Sequence, residues 1–401
     1  MIVLMVSRTT AAVTARDLRV ALAARADVPR TRAPRWALTY RAGDYPPWAY
    51  TVDVVGLTVR AEEQSLRAML VRRVNEPYAA HAAWPGRFVE QRGDATGRDT
   101  ARRELASIPG VELRYLETLD TYDENGRDPR QFAGEIDPAT SRWVERGARI
   151  VSKAFLALLD GPSERLESAS GLDADSTGGG MDDTGYVTWV DVYALLPWED
   201  LRTDAGRRLA RQLASALGDW AAFDGDAESA ERLQRVRRAW GRSLEGWNEE
   251  LANERYGLLF EAGLVDEAWR DRWGQLRADI PRRVLAPGQP LAFDHRRMLA
   301  DAVARIRSKM RYVPGVLAAL AGREVTLPTL QRVVETAAGR PLHTSNFRRV
   351  VTESHGLLRP VGRRSSGNGP GPRPAVYAFP RDVDYARLDT AIRPPWAPLK
   401  G

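Results

Sequence analysis

The sequence predicts an α+β fold in three successive parts: a strand-rich part, a helical block, and a C-terminal part of helices closed by a hairpin. Short β-branched and apolar runs at residues 51–59 and 66–71 predict strands. From residue 201 onward the apolar side chains recur at helical spacing instead. Charge marks the third part, because residues 291–380 contain 15 basic and 5 acidic side chains, a balance of +10 in a chain whose total is +6.

Composition excludes several classes of protein. The 401 residues exceed one average domain, and 43% hydrophobic residues can form a core, which excludes a chain that is disordered throughout. The absence of cysteine excludes disulfide scaffolds, thiolate zinc sites and cysteine nucleophiles. No apolar run approaches the roughly 20 residues of a membrane span, and the apolar run at the start is too short for a signal peptide. We therefore expect a soluble, cytoplasmic protein that does not bind membranes.

The strand-rich part is expected to span residues 35–200, after a weakly ordered extension at residues 1–34. Runs of β-type residues and one helical stretch define its elements. The expected elements are strands at residues 51–59 and 66–71, a helix at 97–107, strands at 111–119 and 149–159, and a last strand at 186–192. Two polar inserts interrupt them, at residues 131–146 and 163–184, and the glycines of the second predict a disordered loop.

The helical block is expected to span residues 201–290. Its first helix places a row of leucines on one face, which we expect to be buried. A second helix is predicted over residues 227–264, and a third follows it. Tryptophans are frequent in these two helices: Trp240, Trp247, Trp269 and Trp273. We assign them to the core or to an interface, where large aromatic side chains are usually found.

The C-terminal part is expected to span residues 291–382, followed by a tail at residues 383–401. Its first helix is predicted to begin at His295 and to run to about Tyr312. Two roles are open to Asp294 and His295: an acid–base pair, or a helix start in which Asp294 is the cap. We favour the helix start, because an aspartate at the N-cap accepts hydrogen bonds from free backbone N–H groups.

The remaining elements of this part have recognisable start and stop signals. Thr326 is a favourable N-cap with Pro328 in the first turn, and Gly339 ends that helix. A short turn leads to a further helix, which Gly356 ends. A basic, glycine-rich segment and a strand at residues 375–379 then complete a hairpin. This order of helices, turn, helix and hairpin is that of a winged helix-turn-helix domain.

Two segments of the strand-rich part, at residues 84–90 and 102–111, resemble the Nudix box. In that family a glycine-containing loop precedes a helix whose carboxylates hold Mg²⁺ against a pyrophosphate. The matching residues are Arg103, Glu104, Leu105, Gly110 and Val111. Ser107 and Ile108 occupy the positions of two acids, Arg87 occupies that of the loop glycine, and two additional residues separate loop and helix. The resemblance implies a Nudix α/β/α sandwich that does not hydrolyse its ligand.

Segments at residues 72–78 and 126–130 are similar to the ADP-ribose-type branch of the same family. The resemblance implies a nucleotide pocket, and arginine suits phosphate because its planar guanidinium donates several hydrogen bonds at once. The candidate ligand-binding residues are Arg73, Phe88, Arg103, Glu104, Arg127 and Arg130. Arg103 and Glu104 are also the remnant of the Nudix helix, so no catalytic or metal-binding residue is expected. The alternative for this pair is an ordinary ion pair on a helix.

The C-terminal part resembles that of the Nudix-related transcriptional regulators of NAD metabolism. Five segments carry this resemblance in order: residues 291–295, 309–312, 326–331, 346–349 and 373–379. It implies a homodimer that binds a double-stranded DNA operator and senses a nucleotide effector, such as ADP-ribose or an NAD-related metabolite, without a cofactor. The candidate DNA-binding residues are Thr344, Ser345, Asn346, Arg348, Arg349, Arg363, Arg364 and Arg373. Their hydroxyl, amide and guanidinium groups suit contacts with phosphates or base edges.

The helical block at residues 201–290 departs from that family, whose linker at this point is short. We expect the block either to brace the dimer or to shape the effector pocket.

Two other functions remain open. In the first, Glu90, Asp94, Asp99 and Glu104 rebuild a Mg²⁺ site, and the protein is a Nudix-type hydrolase of nucleoside diphosphate derivatives or a Nudix fold with other chemistry. In the second, the protein is a nucleotide-binding scaffold with neither activity. Turnover of a nucleoside diphosphate derivative in the presence of Mg²⁺ would distinguish the hydrolase from the scaffold and from the transcription regulator.

Overall fold

The computed structural model describes residues 48–90, 94–137, 142–145, 147–160, 187–223, 227–242, 244–271, 286–354, 357–365, 373–380 and 394–398. Residues 48–401 group as one unit. The extension predicted at residues 1–34 and the loop predicted at residues 163–184 lie outside the described residues. The domain boundaries predicted at residues 200, 290 and 382 stay predictions.

The described residues of the N-terminal part contain nine strands. They are β1 (Trp48–Arg60), β2 (Ser65–Arg72), β3 (Ala82–Ala83), β4 (Gly86–Phe88), β5 (Glu112–Tyr122), β6 (Gly134–Asp137), β7 (Arg142–Glu145), β8 (Arg149–Asp160) and β9 (Val187–Asp191). Seven of them form one sheet in the order β3-β2-β1-β8-β5, with β4 paired to β1 and β9 paired to β2. β1 and β8 run parallel, whereas their other partners are antiparallel. β6 and β7 form a separate hairpin.

Alternate residues of the central strand β1 face two different cores. Val52 and Val54 pack on the face covered by helix α1 (Gly97–Ala106). Val55 lies on the opposite face, in the main core that the sheet shares with the helices of the rest of the chain. Since side chains alternate along a strand, Asp53 shares the face of Val55. The sheet therefore lies between α1 and the later helices, which confirms the predicted α/β/α sandwich.

The predicted strands and helix of this part all occur, with ends displaced by a few residues. The polar insert at residues 131–146, for which no element is predicted, also contains regular structure. A 3₁₀ helix at Pro129–Phe132 is followed by the β6–β7 hairpin. Each strand of that hairpin has 4 residues. Strands this short contain too few positions for a recognisable alternation of polar and apolar residues.

The described residues after the last strand form helices α2 (Val192–Leu195), α3 (Asp204–Ala221), α4 (Ala227–Trp240), α5 (Ala252–Glu261) and α6 (Asp266–Asp271), of which α3 to α6 belong to the helical block. In the leucine row of α3, Leu213 and Leu217 are buried in the main core, and Leu209 packs against it partly buried. The single helix predicted over residues 227–264 is wrong, because the chain turns after Trp240. Gly241 and Gly246 there have φ of 68° and 77°, a conformation that favours glycine over other residues. The indoles of Trp240 and Trp247 pack edge to face across this turn, 5.7 Å apart.

A buried ion cluster joins the three parts of the chain. Glu199, in a 3₁₀ helix after the last strand, binds Arg255 of α5 through two oxygens at 2.6 and 2.8 Å. The same carboxylate binds Arg307 of the C-terminal part at 2.5 Å. All three side chains are fully buried. Because an unpaired buried charge is costly, removing any one of these three side chains would destabilise the contact between the three parts.

The C-terminal part contains α7 (His295–Lys309), α8 (Pro314–Ala321), β10 (Glu324–Thr326), α9 (Leu327–Ala338), α10 (Thr344–Glu353), β11 (Arg359–Arg364) and β12 (Ala375–Ala378). The three strands form one antiparallel sheet in the order β10-β12-β11 beside the helices. This arrangement confirms the predicted winged helix-turn-helix domain. None of the helices that the structure describes is long and apolar enough to cross a membrane.

The predicted signals for α9 are confirmed. Thr326 Oγ1 accepts a hydrogen bond from the backbone N–H of Thr329 at 3.3 Å, Pro328 lies in the first turn, and Gly339 ends the helix with φ of 66°. Helix α8 is not among the predicted elements, although Pro314 at its first position is a typical start signal. Its small, uniformly apolar residues show no amphipathic period. The stop predicted at Gly356 lies outside the described residues.

Part of the C-terminal tail returns to the turn between α9 and α10. The backbone N–H of His343 donates to the carbonyl of Pro395 at 3.0 Å, and that of Ala397 donates to the carbonyl of Pro341 at 3.0 Å. Trp396 packs against the main core and faces the guanidinium of Arg340. The tail thus supports the turn that precedes α10.

Candidate functional site

Four of the predicted ligand-binding residues line one pocket, which we call the arginine pocket: Arg73, Phe88, Arg127 and Arg130. Arg73 follows β2, Phe88 ends β4, and the two other arginines lie in the segment after β5. The pairing of β1 with both β2 and β4 brings these loops to the same region of the sheet.

Two aromatic rings hold the guanidinium groups in this pocket. Arg130 lies 5.5 Å from the ring centre of Phe88 and 5.4 Å from that of Phe293, and Arg73 lies 4.7 Å from that of Phe293. Arg73 also donates from Nε to the carbonyl of Pro77 at 2.9 Å. Cation–π contacts favour this placement of the guanidinium groups.

Carboxylates of the chain itself neutralise two of these arginines. Asp294 accepts from Nε and Nη2 of Arg127 at 2.9 and 2.6 Å, and Asp128 accepts from Nη2 of Arg130 at 2.7 Å. Helix α7 begins at His295 with Asp294 as its N-cap residue, as predicted, but the Asp294 side chain makes no cap hydrogen bond within the described residues. The physical reason is that the carboxylate forms a two-pronged ion pair with Arg127, in which both partners are charged, in place of a single hydrogen bond to a backbone N–H.

Asp53 and His295 also line the arginine pocket, and both are buried. His295 Nδ1 accepts the backbone N–H of Trp84 at 3.0 Å, so its proton lies on Nε2, which is 3.7 Å from Asp53 Oδ1. Burial raises the pKa of Asp53 to about 6, although Arg127 and the Ser152 hydroxyl oppose it. Burial and the charge of Arg127 lower the pKa of His295 well below its ordinary value. The pocket therefore contains a neutral imidazole beside a carboxyl whose pKa is raised to about 6.

Arg103 and Glu104 are not among the residues that line the arginine pocket. Glu104 is 1% exposed, and its Oε2 accepts from Arg87 Nε at 2.5 Å. Arg87 is the residue that stands in place of the Nudix loop glycine, so a guanidinium neutralises the one remaining carboxylate. Arg103 instead binds Glu90 and Asp94 at 2.6 and 2.5 Å. The ligand contacts predicted for Arg103 and Glu104 stay predictions.

The residues present do not fit a divalent cation. Three of the four acids that a rebuilt Mg²⁺ site requires are held by Arg87 or Arg103. Ile108, at the position of a missing acid, is 8% exposed and packs in the core beneath α1. Within the described part of the chain, no group of three acidic or histidine side chains is placed to bind a metal ion.

The Arg87–Glu104 pair is expected to have a structural role. Glu104→Gln should lower the free energy of unfolding by about 1–2 kcal/mol, because it leaves a partly buried guanidinium without its charged acceptor. Glu90→Gln is the matched control, since that carboxylate also binds an arginine but is 59% exposed. It should change the free energy by less than about 0.5 kcal/mol. Urea denaturation measures both, and equal effects would contradict a structural role specific to Glu104.

The predicted DNA-binding residues of α10 form one exposed surface. Thr344, Ser345 and Asn346 are exposed in its first turn, and Arg348 and Arg349 are exposed directly after them. Buried apolar residues of the same helix face the core, so α10 is held with its polar face outward.

The start of α10 offers hydrogen-bond donors to a ligand. His343 is its N-cap and makes no side-chain cap hydrogen bond with the residues that the structure describes. Backbone N–H groups at such a helix start favour anions such as phosphate. Thr344 Oγ1 accepts from Gln331 of α9 at 3.0 Å, which connects the two helices. Arg349 pairs with Glu353 at 3.2 Å, but both side chains are more than 60% exposed, so the pair is weak.

The hairpin of β11 and β12 is the wing of the winged helix domain. Its predicted basic residues are only partly described. Arg363 and Arg364 belong to β11, but their side chains lie outside the described residues. Arg373 is exposed just before β12. The backbone of β11 and β12 forms the expected hairpin.

Asp53 and Phe293 are not among the site residues predicted from the sequence. A signal for Asp53 exists, since a carboxylate within the apolar run of a buried strand is unusual. Phe293 has no comparable signal, because its place over two arginines depends on the contact between the C-terminal part and the sheet.

The C-terminal domain is similar to a known domain family. Residues 318–379 match the model of the NrtR DNA-binding winged helix domain. This segment is similar to that domain family. The match begins within α8, which is not among the helices predicted from the sequence, and ends after β12. The NrtR-type winged helix therefore contains α9, α10 and the wing, together with the candidate DNA-binding residues.

Similar proteins include a curated relative and several solved structures. The ADPR-responsive transcriptional repressor NtrR of Acinetobacter baylyi is 33% identical over 94 residues, which cover 23% of this chain and 37% of that relative. The structure of Shewanella oneidensis NrtR complexed with a 27mer DNA is 20% identical, with a TM-score of 0.46 over 86% of this chain and 99% of that one. A MutT/nudix family protein from Enterococcus faecalis is 17% identical, with a TM-score of 0.44 over 88% and 95%.

Proposed function

We propose that the protein is a transcription regulator that binds DNA through its NrtR-type winged helix and senses a nucleotide in the arginine pocket. The effector is ADP-ribose or an NAD-related metabolite. The protein works in the cytoplasm as a homodimer on a palindromic operator and requires no cofactor. The single observation that carries the proposal is the winged helix match at residues 318–379, which covers the exposed helix α10.

Charge and exposure support the DNA-binding half of this proposal. The region from residue 291 to 380 has a balance of +10 in side-chain charge. Two arginines and the free helix start of α10 lie on its exposed face. Phosphate contacts from arginine and from helix starts supply most of the affinity of such domains, and base-edge contacts supply the sequence preference.

The arginine pocket supports the sensing half. Arg73, Arg127 and Arg130 present guanidinium groups to one space, next to two phenyl rings. This chemistry fits the phosphates of a nucleotide, whose charge would compete with Asp128 and Asp294 for the arginines. The curated relative that is 33% identical over 94 residues is described as responsive to ADPR.

Helix α7 supplies a direct connection between the two halves. Its first residue, His295, lines the arginine pocket, whereas Arg307 near its end donates to the carbonyl of Ala337 at 3.1 Å. Ala337 belongs to the last turn of α9, next to the turn that leads into α10. An effector that displaces Asp294 from Arg127 changes the first turn of α7. We infer that this movement shifts the winged helices of the dimer away from the half-site spacing of the operator.

The proposal is tested by two binding measurements on the full chain. Calorimetry should detect binding of ADP-ribose without Mg²⁺, and fluorescence anisotropy should detect salt-dependent binding of a duplex from the region upstream of the protein's own gene. Incubation with Mg²⁺ and a panel of nucleoside diphosphate derivatives should give no products. Mg²⁺-dependent turnover that disappears in Glu104→Gln would instead favour the hydrolase.

A further inference from the structure

A second pocket lies beside the arginine pocket and is partly built by the helical block. One wall is the segment around residues 124–132 after β5, and the opposite wall is helix α5, with Tyr256, Gly257 and Phe260. Its volume is about 520 Å³. Pockets that bind small organic ligands have volumes of about 300–1,000 Å³, so this space is large enough for a nucleoside.

The charged side chains that line the second pocket, unlike those of the arginine pocket, are mostly acidic: Glu124, Glu261, Asp271 and Asp294, compared with Arg127 and Arg297. Arg297 pairs with Glu124, and Asp294 pairs with Arg127. A further carboxylate of its wall, Asp271, pairs with Arg270. An excess of acidic side chains disfavours a second phosphate, so an uncharged group fits this lining better.

Aromatic side chains offer this pocket a stacking surface. Phe132 is 50% exposed although it is a large hydrophobic residue, and Phe260 lines the wall formed by α5. Stacking of a nucleobase on an aromatic ring contributes about 1–3 kcal/mol. An exposed phenyl ring in a pocket without an excess of positive charge therefore fits the flat face of a base.

The two pockets share a wall, since Arg127 and Asp294 line both of them. We propose that the second pocket binds the nucleoside end of the effector while the arginine pocket binds its diphosphate. This inference rests on the proposed function and names the effector class: a diphosphate that carries an aromatic base. It also gives the helical block a role in ligand recognition, because α5 forms one side of the nucleoside site.

Gly257 provides a direct test. A Cβ at this position would meet no atom of the described residues within 4 Å, so a larger side chain there would occupy the second pocket without disturbing the core. Gly218 of α3 is a matched control, since it is also a helical glycine whose added Cβ meets nothing within 4 Å in the described part of the chain. Gly218 does not line the second pocket. Both substitutions remove a helical glycine and should preserve or slightly increase stability.

Calorimetry of the full chain with ADP and with inorganic pyrophosphate separates the two pockets. The wild-type protein should bind ADP at least about tenfold more tightly than pyrophosphate, which reflects the stacked base. Gly257→Leu should abolish this preference by weakening ADP about tenfold while its pyrophosphate affinity is unchanged. Gly218→Leu should behave as the wild type does. Equal melting temperatures for both variants confirm that each is folded.

Each alternative outcome overturns a specific claim. If Gly257→Leu binds ADP as tightly as the wild type, the second pocket does not hold the nucleoside, and the sensing role of the arginine pocket is unaffected. If Gly257→Leu weakens ADP and pyrophosphate equally in a folded protein, the assignment of the base to this pocket also fails. If the wild-type protein binds neither ligand, the arginine pocket is not a phosphate site, and the proposed function fails with it.

Discussion

Replacing Arg348 and Arg349 with alanine should lower the affinity for operator DNA by about 100-fold or more. Each guanidinium contact with a phosphate or a base edge contributes about 1–3 kcal/mol, and both side chains are exposed on α10. The loss should be accompanied by a shallower dependence of the affinity on salt concentration, because fewer counterions are released on binding. Fluorescence anisotropy with the upstream duplex at several salt concentrations measures both effects.

A second arginine pair in the same chain is the matched control for this result. Arg237 and Arg238 are adjacent, exposed and helical, and Arg238 pairs with Glu254 much as Arg349 pairs with Glu353. Their replacement with alanine should leave the DNA affinity within about twofold of the wild type, because they lie on α4 outside the winged helix. Equal losses for both double variants would mean that net charge, and not the face of α10, determines DNA binding.

The Arg130→Gln variant should bind ADP-ribose about 10- to 100-fold more weakly, while its DNA affinity without nucleotide stays unchanged. The side chain lies between Phe88 and Phe293, and a hydrogen bond to a charged group contributes about 1.5–3 kcal/mol. Calorimetry measures the nucleotide affinity. The DNA affinity is expected to persist because Arg130 is remote in sequence from α10 and belongs to the sheet part of the fold.

Arg114→Gln is the control for Arg130→Gln. Arg114 also pairs with an aspartate, and its side chain is 32% exposed, compared with 30% for Arg130. It does not line the arginine pocket. An equal loss of nucleotide affinity in both variants would exclude a specific role for Arg130.

Local signals in the sequence predict much of the winged helix. Thr326, Pro328 and Gly339 act within one helix, so their effects on the start and end of α9 can be read without knowledge of the fold. Arg73, Phe88, Arg127 and Arg130 are predicted as one set because short segments resemble a family in which they belong together. The structure brings these four residues to one pocket.

Contacts between distant segments could not be predicted in the same way. Asp294 is a plausible helix cap from its neighbours alone, yet its carboxylate binds Arg127, which lies 167 residues earlier in the chain. The Arg87–Glu104 pair likewise depends on how the loop after β4 meets α1. Each of these pairs is decided by tertiary packing, which overrides a local preference worth about 1 kcal/mol.

The measurement that most directly tests the central claim is the DNA affinity of the full chain with and without saturating ADP-ribose. Fluorescence anisotropy with the upstream duplex should show a decrease in affinity of about tenfold or more, a typical magnitude for coupling between two sites. The same titration with Arg130→Gln at the same nucleotide concentration should show little or no decrease. An unchanged DNA affinity in a wild-type protein that binds ADP-ribose by calorimetry would contradict the claim that the pocket controls the winged helix.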